Sequence, residues 1–130
     1  MEYKELVKIA QETKDKAYAP YSGFKVGAAL YTKSGRVYTG INIENATYGA
    51  TICAERTAVF KAVSDGENSF EAIAIASDSE DYVYPCGICR QVLAEFSGDD
   101  LKIICSRKDR QFMVHSLGDL LPHAFRRMVE

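Results

Sequence analysis

The sequence lacks an excess of charge of either sign. Its 130 residues include 16 Lys and Arg and 18 Asp and Glu, which gives a formal net charge of −2. Because an excess of basic residues attracts proteins to nucleic acid and to anionic lipid, we expect no nucleic-acid partner and no membrane association. The N-terminal segment also lacks the uninterrupted apolar run of a signal peptide or membrane span, since charged residues recur along it. We therefore expect a cytoplasmic protein.

Interdomain linkers, internal repeats and low-complexity segments are also missing from the sequence. Hydrophobic residues make up 47% of the chain and charged residues 26%, a composition typical of globular proteins. A chain of 130 residues is long enough to bury one core and too short for two. We therefore predict a single domain over residues 1–130.

The hydrophobic pattern predicts an alternation of helices and strands. Apolar residues at three- and four-residue spacing indicate helices, and short apolar runs bounded by turn residues indicate strands. Because parallel strands need crossover helices, this order predicts an α/β fold of three layers with a mixed sheet between helices, and it leaves the strand order open. The predicted elements are a helix over residues 3–18, a hairpin of strands 24–32 and 36–43, a helix over 51–66, a strand over 70–77, a helix over 87–98, strands over 101–106 and 111–115, and a terminal helix that Ser116 caps and Pro122 interrupts.

Four cysteines are the most informative residues in this pattern. Thiols in a reducing compartment bind metal or take part in chemistry more often than they form disulfides. Cys86 and Cys89 are three residues apart at a predicted helix start, so both sulfurs can face one centre, and Cys53 opens another predicted helix. If the two helices begin side by side, the three sulfurs leave the fourth position of a tetrahedral zinc site open, as in catalytic sites. Cys105, between Ile104 and Ser106 in a predicted strand, is expected to pack in the core.

Glu55 follows Cys53 at a distance that restricts the local structure. Residues two apart in a helix point about 200° away from each other, so both reach one site only if Cys53 precedes the regular helix. A carboxylate beside the open metal position can take a proton from bound water and pass it on. Three thiolates on Zn²⁺ carry a net charge of −1, and the adjacent Arg56 and Arg90 are the candidates to offset it.

The cysteine and glutamate motifs resemble a known signature. Cys-Ala-Glu at 53–55 with Pro-Cys-Gly-Ile-Cys at 85–89 is similar to the motif of the zinc-dependent nucleoside and nucleobase deaminases, with Cys in place of the first His. More narrowly, the chain resembles the small homotetrameric cytidine deaminases. The matching segments are YAPYSGFKVGAAL at 18–30, NIEN at 42–45, CAERTAVFKA at 53–62, PCGICRQVLAEF at 85–96 and LLPHAF at 120–125.

This resemblance implies both a fold and an activity. The fold would be a five-stranded mixed sheet between helices. The activity would be hydrolytic deamination of free cytidine and deoxycytidine to uridine and deoxyuridine with release of ammonia, a reaction of pyrimidine salvage. Cys53, Cys86 and Cys89 would hold Zn²⁺, whose bound hydroxide attacks the base, and Glu55 would be the proton shuttle.

The resemblance also implies a set of nucleoside-binding residues. Phe24 would pack against the pyrimidine, and the main chain at Ala54 and Cys86 would help to orient the base. Asn42 and Glu44 would hold the ribose hydroxyls, and this assignment has independent support because alternate residues of an extended segment face one side.

Two further aromatic residues match positions that reach into the pocket of a neighbouring subunit, namely Tyr48 and Phe125. We therefore expect a homotetramer with active sites shared between subunits. The sequence departs from the family pattern at His123, where a glycine or another small residue is expected. The departure bears only on the local backbone conformation before Phe125.

Each assignment has a simpler alternative. The cysteines could form a structural zinc site or be inert buried thiols, and Glu55 could be an ordinary acidic residue of a first helical turn. Asn42 and Glu44 could make turn hydrogen bonds, the three aromatic residues could belong to a core, and the two arginines could be solvated. At the level of function, the alternatives are a deaminase of a related aminopyrimidine nucleoside and an interaction module built on a structural zinc ion.

Overall fold

The computed structural model describes residues 1–127 and contains one five-stranded mixed sheet. The predicted single domain extends to residue 130, so its last three residues lie outside the described part, and the domain prediction stays a prediction. The strands are β1 (Val26–Thr32), β2 (Val37–Ile41), β3 (Phe70–Ser77), β4 (Lys102–Ser106) and β5 (Phe112–Ser116), and the α-helices are α1 (Tyr3–Thr13), α2 (Ala54–Ser64), α3 (Gly87–Phe96) and α4 (Leu117–Leu120).

The strand order along the sheet is β2-β1-β3-β4-β5. The hairpin strands β1 and β2 are antiparallel, as are the pairs β1–β3 and β4–β5, whereas β3 and β4 are parallel. The crossover helix between the parallel strands is α3. The expected five-stranded mixed sheet between helices is therefore confirmed, and the structure supplies the strand order that the pattern left open.

Alternate residues of the central strand β3 face two separate layers. Ile73 and Ile75 belong to the core under α2 and α3, whereas Ala72 and Ala74 belong to the core under α1. Burial on both faces explains why this strand is a continuous apolar run rather than an alternating one. The hydrophobic effect therefore holds helices against both faces of the sheet.

The first helix is shorter than its apolar pattern predicts. It ends at Thr13, and residues 14–16 form a 3₁₀ turn instead of continuing the α-helix to Tyr18. The N–H of Tyr18 donates to Asn42 O at 3.0 Å, and its carbonyl accepts from Glu44 N at 2.9 Å. Those backbone groups are used in a bridge to the segment after β2, so they are not available to helical hydrogen bonds.

Several other boundaries also differ from the predicted ones, among them the end of α3 at Phe96 rather than at residue 98. Helix α2 begins at Ala54 rather than near Thr51, because Ile52 pairs with Ile43 in an isolated antiparallel bridge. Helix α4 has only four residues and ends at Leu120, two residues before Pro122, although Ser116 caps it as predicted. No helix among residues 1–127 is long and apolar enough to cross a membrane.

Candidate active site

Two helices begin at cysteines on the same side of the sheet. Cys53 is the N-cap of α2 with extended backbone angles (φ −77°, ψ 155°), and Cys86 is the N-cap of α3 (φ −68°, ψ 167°). Cys53 therefore precedes the regular helix, as its spacing from Glu55 required. The start of α2 also lies close to the sheet, since a Cβ at Gly40 would come within 2.2 Å of Ala54 O.

The three predicted ligands converge. Cys53 Sγ lies 3.6 Å from Cys86 Sγ, and Cys86 Sγ lies 3.4 Å from Cys89 Sγ. All three sulfurs lie within 4.8 Å of one another. A tetrahedral Zn²⁺ with Zn–S bonds of about 2.3 Å separates its sulfurs by about 3.8 Å. The donor set and its spacing therefore fit zinc with one position left for another ligand.

The Cys53 and Cys89 thiols differ in how readily they lose a proton. Hydrogen bonds from Cys89 and from Arg56 lower the pKa of the Cys53 thiol to about 5 against the opposing effect of burial, and the same bond to Cys53 raises the pKa of Cys89. Arg56 Nη2 lies 3.5 Å from Cys53 Sγ, where its positive charge favours a thiolate. Cys105 is fully buried in β4 as predicted, and burial raises the pKa of its thiol to about 12.

Arg90 does not contact the sulfurs through any hydrogen bond of the described structure. Its Nε donates to Pro85 O at 2.8 Å, and its Nη1 donates to Leu120 O at 2.7 Å. The predicted role of Arg90 in charge balance stays a prediction, and the contacts that this side chain makes are with main-chain carbonyls.

Glu55 lies in the first turn of α2, and only 4% of it is exposed to solvent. Burial raises the pKa of its carboxyl to about 7, with a smaller contribution from the charge of Cys53. A carboxyl with a pKa near neutrality can both accept and donate a proton at physiological pH. It lines the same cavity as Cys53 and Cys86, which allows proton transfer beside the sulfurs.

This cavity has a volume of about 310 Å³ and connects the sulfur cluster with two surface loops. It contains four of the predicted nucleoside-binding residues, Phe24, Asn42, Glu44 and Ala54. Its lining is Ser22, Phe24, Val26, Asn42, Glu44, Thr51, Ile52, Cys53, Ala54, Glu55, Val83, Tyr84 and Cys86.

Asn42 supports the loop that carries Phe24. Its Oδ1 accepts from Val26 N at 2.9 Å, and its Nδ2 donates to Phe24 O at 2.8 Å. Asn42 therefore makes local hydrogen bonds to the backbone, as the simpler alternative for this residue expected. They use one of the two amide protons and one of the two oxygen lone pairs, so the amide keeps one donor and one acceptor for a ligand.

Glu44 is bound by the turn before Phe24. Its Oε1 accepts from Tyr21 N at 2.9 Å and from Ser22 N at 3.0 Å, and its Oε2 accepts from Ser22 Oγ. These bonds hold the pKa of the Glu44 carboxyl below its ordinary value. Glu44 therefore presents an ionised, oriented acceptor to the cavity.

The two remaining aromatic candidates lie outside this cavity. The Tyr48 ring is edge-on to the Tyr21 ring, with a centroid distance of 6.2 Å, and Tyr48 is 77% exposed. Phe125 is 72% exposed, and within residues 1–127 its carbonyl accepts a hydrogen bond from Gln91 Nε2 at 2.7 Å. His123, the departure from the family pattern, has a positive φ of 55°, which is the backbone conformation that favours glycine.

Several lining residues were not predicted from the sequence. Ser22 precedes Glu44 by 22 residues, and only the tertiary structure brings its hydroxyl to that carboxylate. Val83 and Tyr84 precede the cysteine pair and line the cavity, and Tyr84 packs against the ring of His115 at 5.5 Å. In the sequence, Ser22 and Tyr84 are marked only by their proximity to a motif. Ser22 lies in the same matching segment as Phe24, and Tyr84 lies two residues before Cys86.

The chain is similar to known proteins in sequence and in fold. Residues 1–105 match the family model of the cytidine and deoxycytidylate deaminase zinc-binding region. The chain is 46% identical to a probable cytidine deaminase of Dictyostelium discoideum, over 95% of this chain and 84% of that protein. It is 47% identical to a cytidine deaminase of Halalkalibacterium halodurans, over 96% of this chain and 95% of that protein. A crystal structure of cytidine deaminase from Burkholderia pseudomallei superposes with a TM-score of 0.92 at 46% identity, covering 96% of this chain and 100% of that one.

Proposed function

Because the chain belongs to the cytidine and deoxycytidylate deaminase family, we propose that it hydrolyses free cytidine and deoxycytidine to uridine and deoxyuridine with release of ammonia. The observation that carries the proposal is the buried Glu55 beside three converging cysteines at one end of a ligand-sized cavity. A cytoplasmic location and a place in pyrimidine salvage belong to the same proposal.

The metal requirement rests on the cysteines. Cys53, Cys86 and Cys89 would hold the zinc ion for which the family is named, and their sulfur spacing fits it. When bound, zinc supplies a water acidic enough to act as a nucleophile at neutral pH. Arg56 offsets the negative charge of the thiolates through its contact with Cys53.

Glu55 carries the protons of the reaction. It takes a proton from the attacking water while the oxygen adds to C4 of the pyrimidine, and it protonates ring N3. It then takes the remaining proton of that water from the C4 hydroxyl and delivers it to the exocyclic amino group. The C4–N bond breaks, a carbonyl forms at C4, and ammonia leaves. Its burial supports this role, because burial raises the pKa of the carboxyl toward neutrality and so helps it to hold a proton between the two transfers.

The charge of the cavity favours a nucleoside over a nucleotide. The described lining contains two carboxyl groups, Glu44 and Glu55, and no Lys, Arg or His. A 5′-phosphate would therefore bring negative charge toward carboxylates without a cation to offset it. Glu44 and the free capacity of the Asn42 amide can instead bind the hydroxyls of an uncharged ribose.

A direct assay tests this function. The purified chain should release ammonia from cytidine and from deoxycytidine, and the same samples should release none from cytidine 5′-monophosphate. Activity on cytosine alone would point to a different aminopyrimidine substrate. Bound zinc without release of ammonia from any of these compounds would support the structural-zinc alternative instead.

The proposal includes a homotetramer in which subunits complete one another's sites. The exposure of Tyr48 and Phe125 supports it, because both rings are free of the chain's own cavity and available to a neighbour. Phe125→Ala should weaken nucleoside binding by roughly 1–3 kcal/mol if the lost contact is stacking on a base.

Mixed oligomers test this arrangement. Chains with Phe125→Ala are mixed with chains carrying Glu55→Gln, and subunit exchange is verified by mass spectrometry. Shared sites predict that some hybrid sites combine an intact Glu55 with an intact Phe125, so activity rises above the sum of the separate variants. No rise after verified exchange would place Phe125 in its own chain's site or away from any site.

A further inference from the structure

Arg90 connects two parts of the chain that both lie near the cavity. It occupies the first turn of α3 directly after Cys89 and is half-buried. Its Nε donates to the carbonyl of Pro85, the residue before Cys86, and its Nη1 donates to the carbonyl of Leu120, the last residue of α4. One guanidinium therefore joins the loop that carries a metal ligand to the start of the C-terminal segment.

The C-terminal segment, residues 120–126, is bound along α3 by two further side chains. Gln91 Nε2 donates to Phe125 O at 2.7 Å, and Arg126 Nε donates to Ala94 O at 3.1 Å. Neither contact reaches the loop before Cys86. Among these three connections, only the one through Arg90 links the C-terminal segment to the loop before Cys86.

The bond to Pro85 O restricts the peptide unit that leads into Cys86. The orientation of this peptide sets the direction of the Cys86 backbone as it enters α3 (φ −68°, ψ 167°), and hence the position of its sulfur. A guanidinium is planar and rigid, so it fixes the Pro85 and Leu120 carbonyls relative to each other. Loss of either carbonyl contact would let the Cys86 sulfur move relative to Cys53 and Cys89.

We propose that Arg90 is a positioning residue that holds the Pro85–Cys86 peptide against the C-terminal segment, so that docking of this segment keeps Cys86 in its ligating position. The proposal rests on the proposed metal site and is independent of the substrate. It assigns to Arg90 a geometric role in place of the charge-balancing role expected from its place beside Cys89. Arg56, which contacts Cys53 directly, is then the cation of the site.

Two substitutions separate geometry from charge. Arg90→Lys keeps the positive charge, but its single ammonium on a flexible stem cannot reproduce the two-carbonyl contact. Arg90→Met removes both the charge and the contact. Gln91→Ala is the matched control, since it releases the C-terminal segment at Phe125 O and leaves the Pro85 contact intact.

The measurement is the rate at which zinc passes from the loaded full-length protein to an excess of a colorimetric chelator. Changes in residues that orient metal ligands typically cost 10–100-fold in metal affinity or activity, and we expect Arg90→Lys and Arg90→Met to release zinc 10–100-fold faster than the wild type. Gln91→Ala should release it at close to the wild-type rate. Hydrogen exchange in residues 120–127 should rise in both Arg90 variants, because the contact at Leu120 O is lost.

Several outcomes would overturn this inference. Wild-type zinc release in Arg90→Lys together with fast release in Arg90→Met would show that the charge alone matters. Unchanged release in Arg90→Lys would contradict the positioning role even if Arg90→Met failed to fold. A wild-type chain that binds no zinc would overturn the proposed function and this inference together, whereas a loaded wild type with unchanged Arg90 variants would overturn this inference alone.

Discussion

Two walls of the cavity are held in place by different means. The metal-side wall, made of Cys53, Glu55 and Cys86, lies at the N-termini of α2 and α3. Those helices pack on the sheet through residues such as Ala58 and Leu93, which are fully buried. Hydrophobic packing of whole helices therefore sets where this wall lies, and the hydrogen bonds of Arg90 act on one part of it, the Pro85–Cys86 peptide.

The loop-side wall, made of Phe24, Asn42 and Glu44, lies on irregular segments before β1 and after β2. It is held by side-chain hydrogen bonds to the backbone, such as those from Ser22 N to Glu44 and from Asn42 to Phe24 O. Phe24 itself is 45% exposed. In the proposed function, the chemistry takes place at the wall held by helix packing, and the substrate binds at the wall held by hydrogen bonds.

Glu55→Gln tests the metal-side wall and should have the largest effect. The amide fills the same space but cannot carry a proton, so kcat should fall by about 10²–10⁴-fold while the zinc content stays unchanged. Steady-state kinetics and metal analysis measure both quantities. Glu95→Gln, at an exposed position of α3, is the matched control and should leave kcat unchanged. Near-normal turnover of Glu55→Gln would remove Glu55 from the mechanism.

The buried carboxyl of Glu55 should also make stability depend on pH in the metal-stripped, reduced protein. Burial raises its pKa from 4.5 to about 7. Between these values the carboxyl is ionised in the unfolded chain and neutral in the folded one, so rising pH favours unfolding. Glu55→Gln should therefore gain stability over the wild type as pH rises from 5 to 8, by up to about 3 kcal/mol.

Urea unfolding at several pH values measures this difference. The thiols titrate in both proteins, so their contribution largely cancels when the two are compared. A gap in the free energy of unfolding that stays constant between pH 5 and 8 would contradict the raised pKa of Glu55.

Glu44→Gln tests the loop-side wall and should have a moderate effect on binding. The amide nitrogen of Gln cannot accept the bonds that a carboxylate receives, so we expect KM for cytidine to rise about tenfold with little change in kcat. A nucleoside without the 2′- and 3′-hydroxyls serves as the control, and its KM should change far less. An equal fall in kcat for both substrates would contradict the proposal that the loop-side wall binds the substrate and the metal-side wall carries the chemistry.

His123→Gly should have the smallest effect, because His123 belongs to neither wall. Its φ of 55° is strained for a residue with a Cβ, and glycine removes this strain while losing backbone entropy. We expect the free energy of unfolding to rise by roughly 0.5 kcal/mol. His123→Ala keeps the Cβ and should give no such gain in the same unfolding experiment.

The sequence predicted the metal-side wall better than the loop-side wall. The spacing of Cys86 and Cys89 and the need for Cys53 to precede a regular helix are local relations, which a few residues of backbone geometry determine. On the other wall, the resemblance pointed to Asn42 and Glu44. That their side chains also bind residues 16 to 23 positions earlier in the chain is not encoded in any local spacing.

The sequence by itself determined the types of the elements, the mixed α/β class and the cysteine set of the proposed metal centre, because hydrophobic periodicity and short spacings act over a few residues. Only the tertiary structure decided the strand order, the end of α1 at Thr13 and the partners of Arg90. Each of these depends on a backbone group finding a partner far along the chain. Tyr18 bridges to the segment after β2, and Arg90 bridges to Leu120, because polar groups pair with whichever partners the packed elements bring within reach.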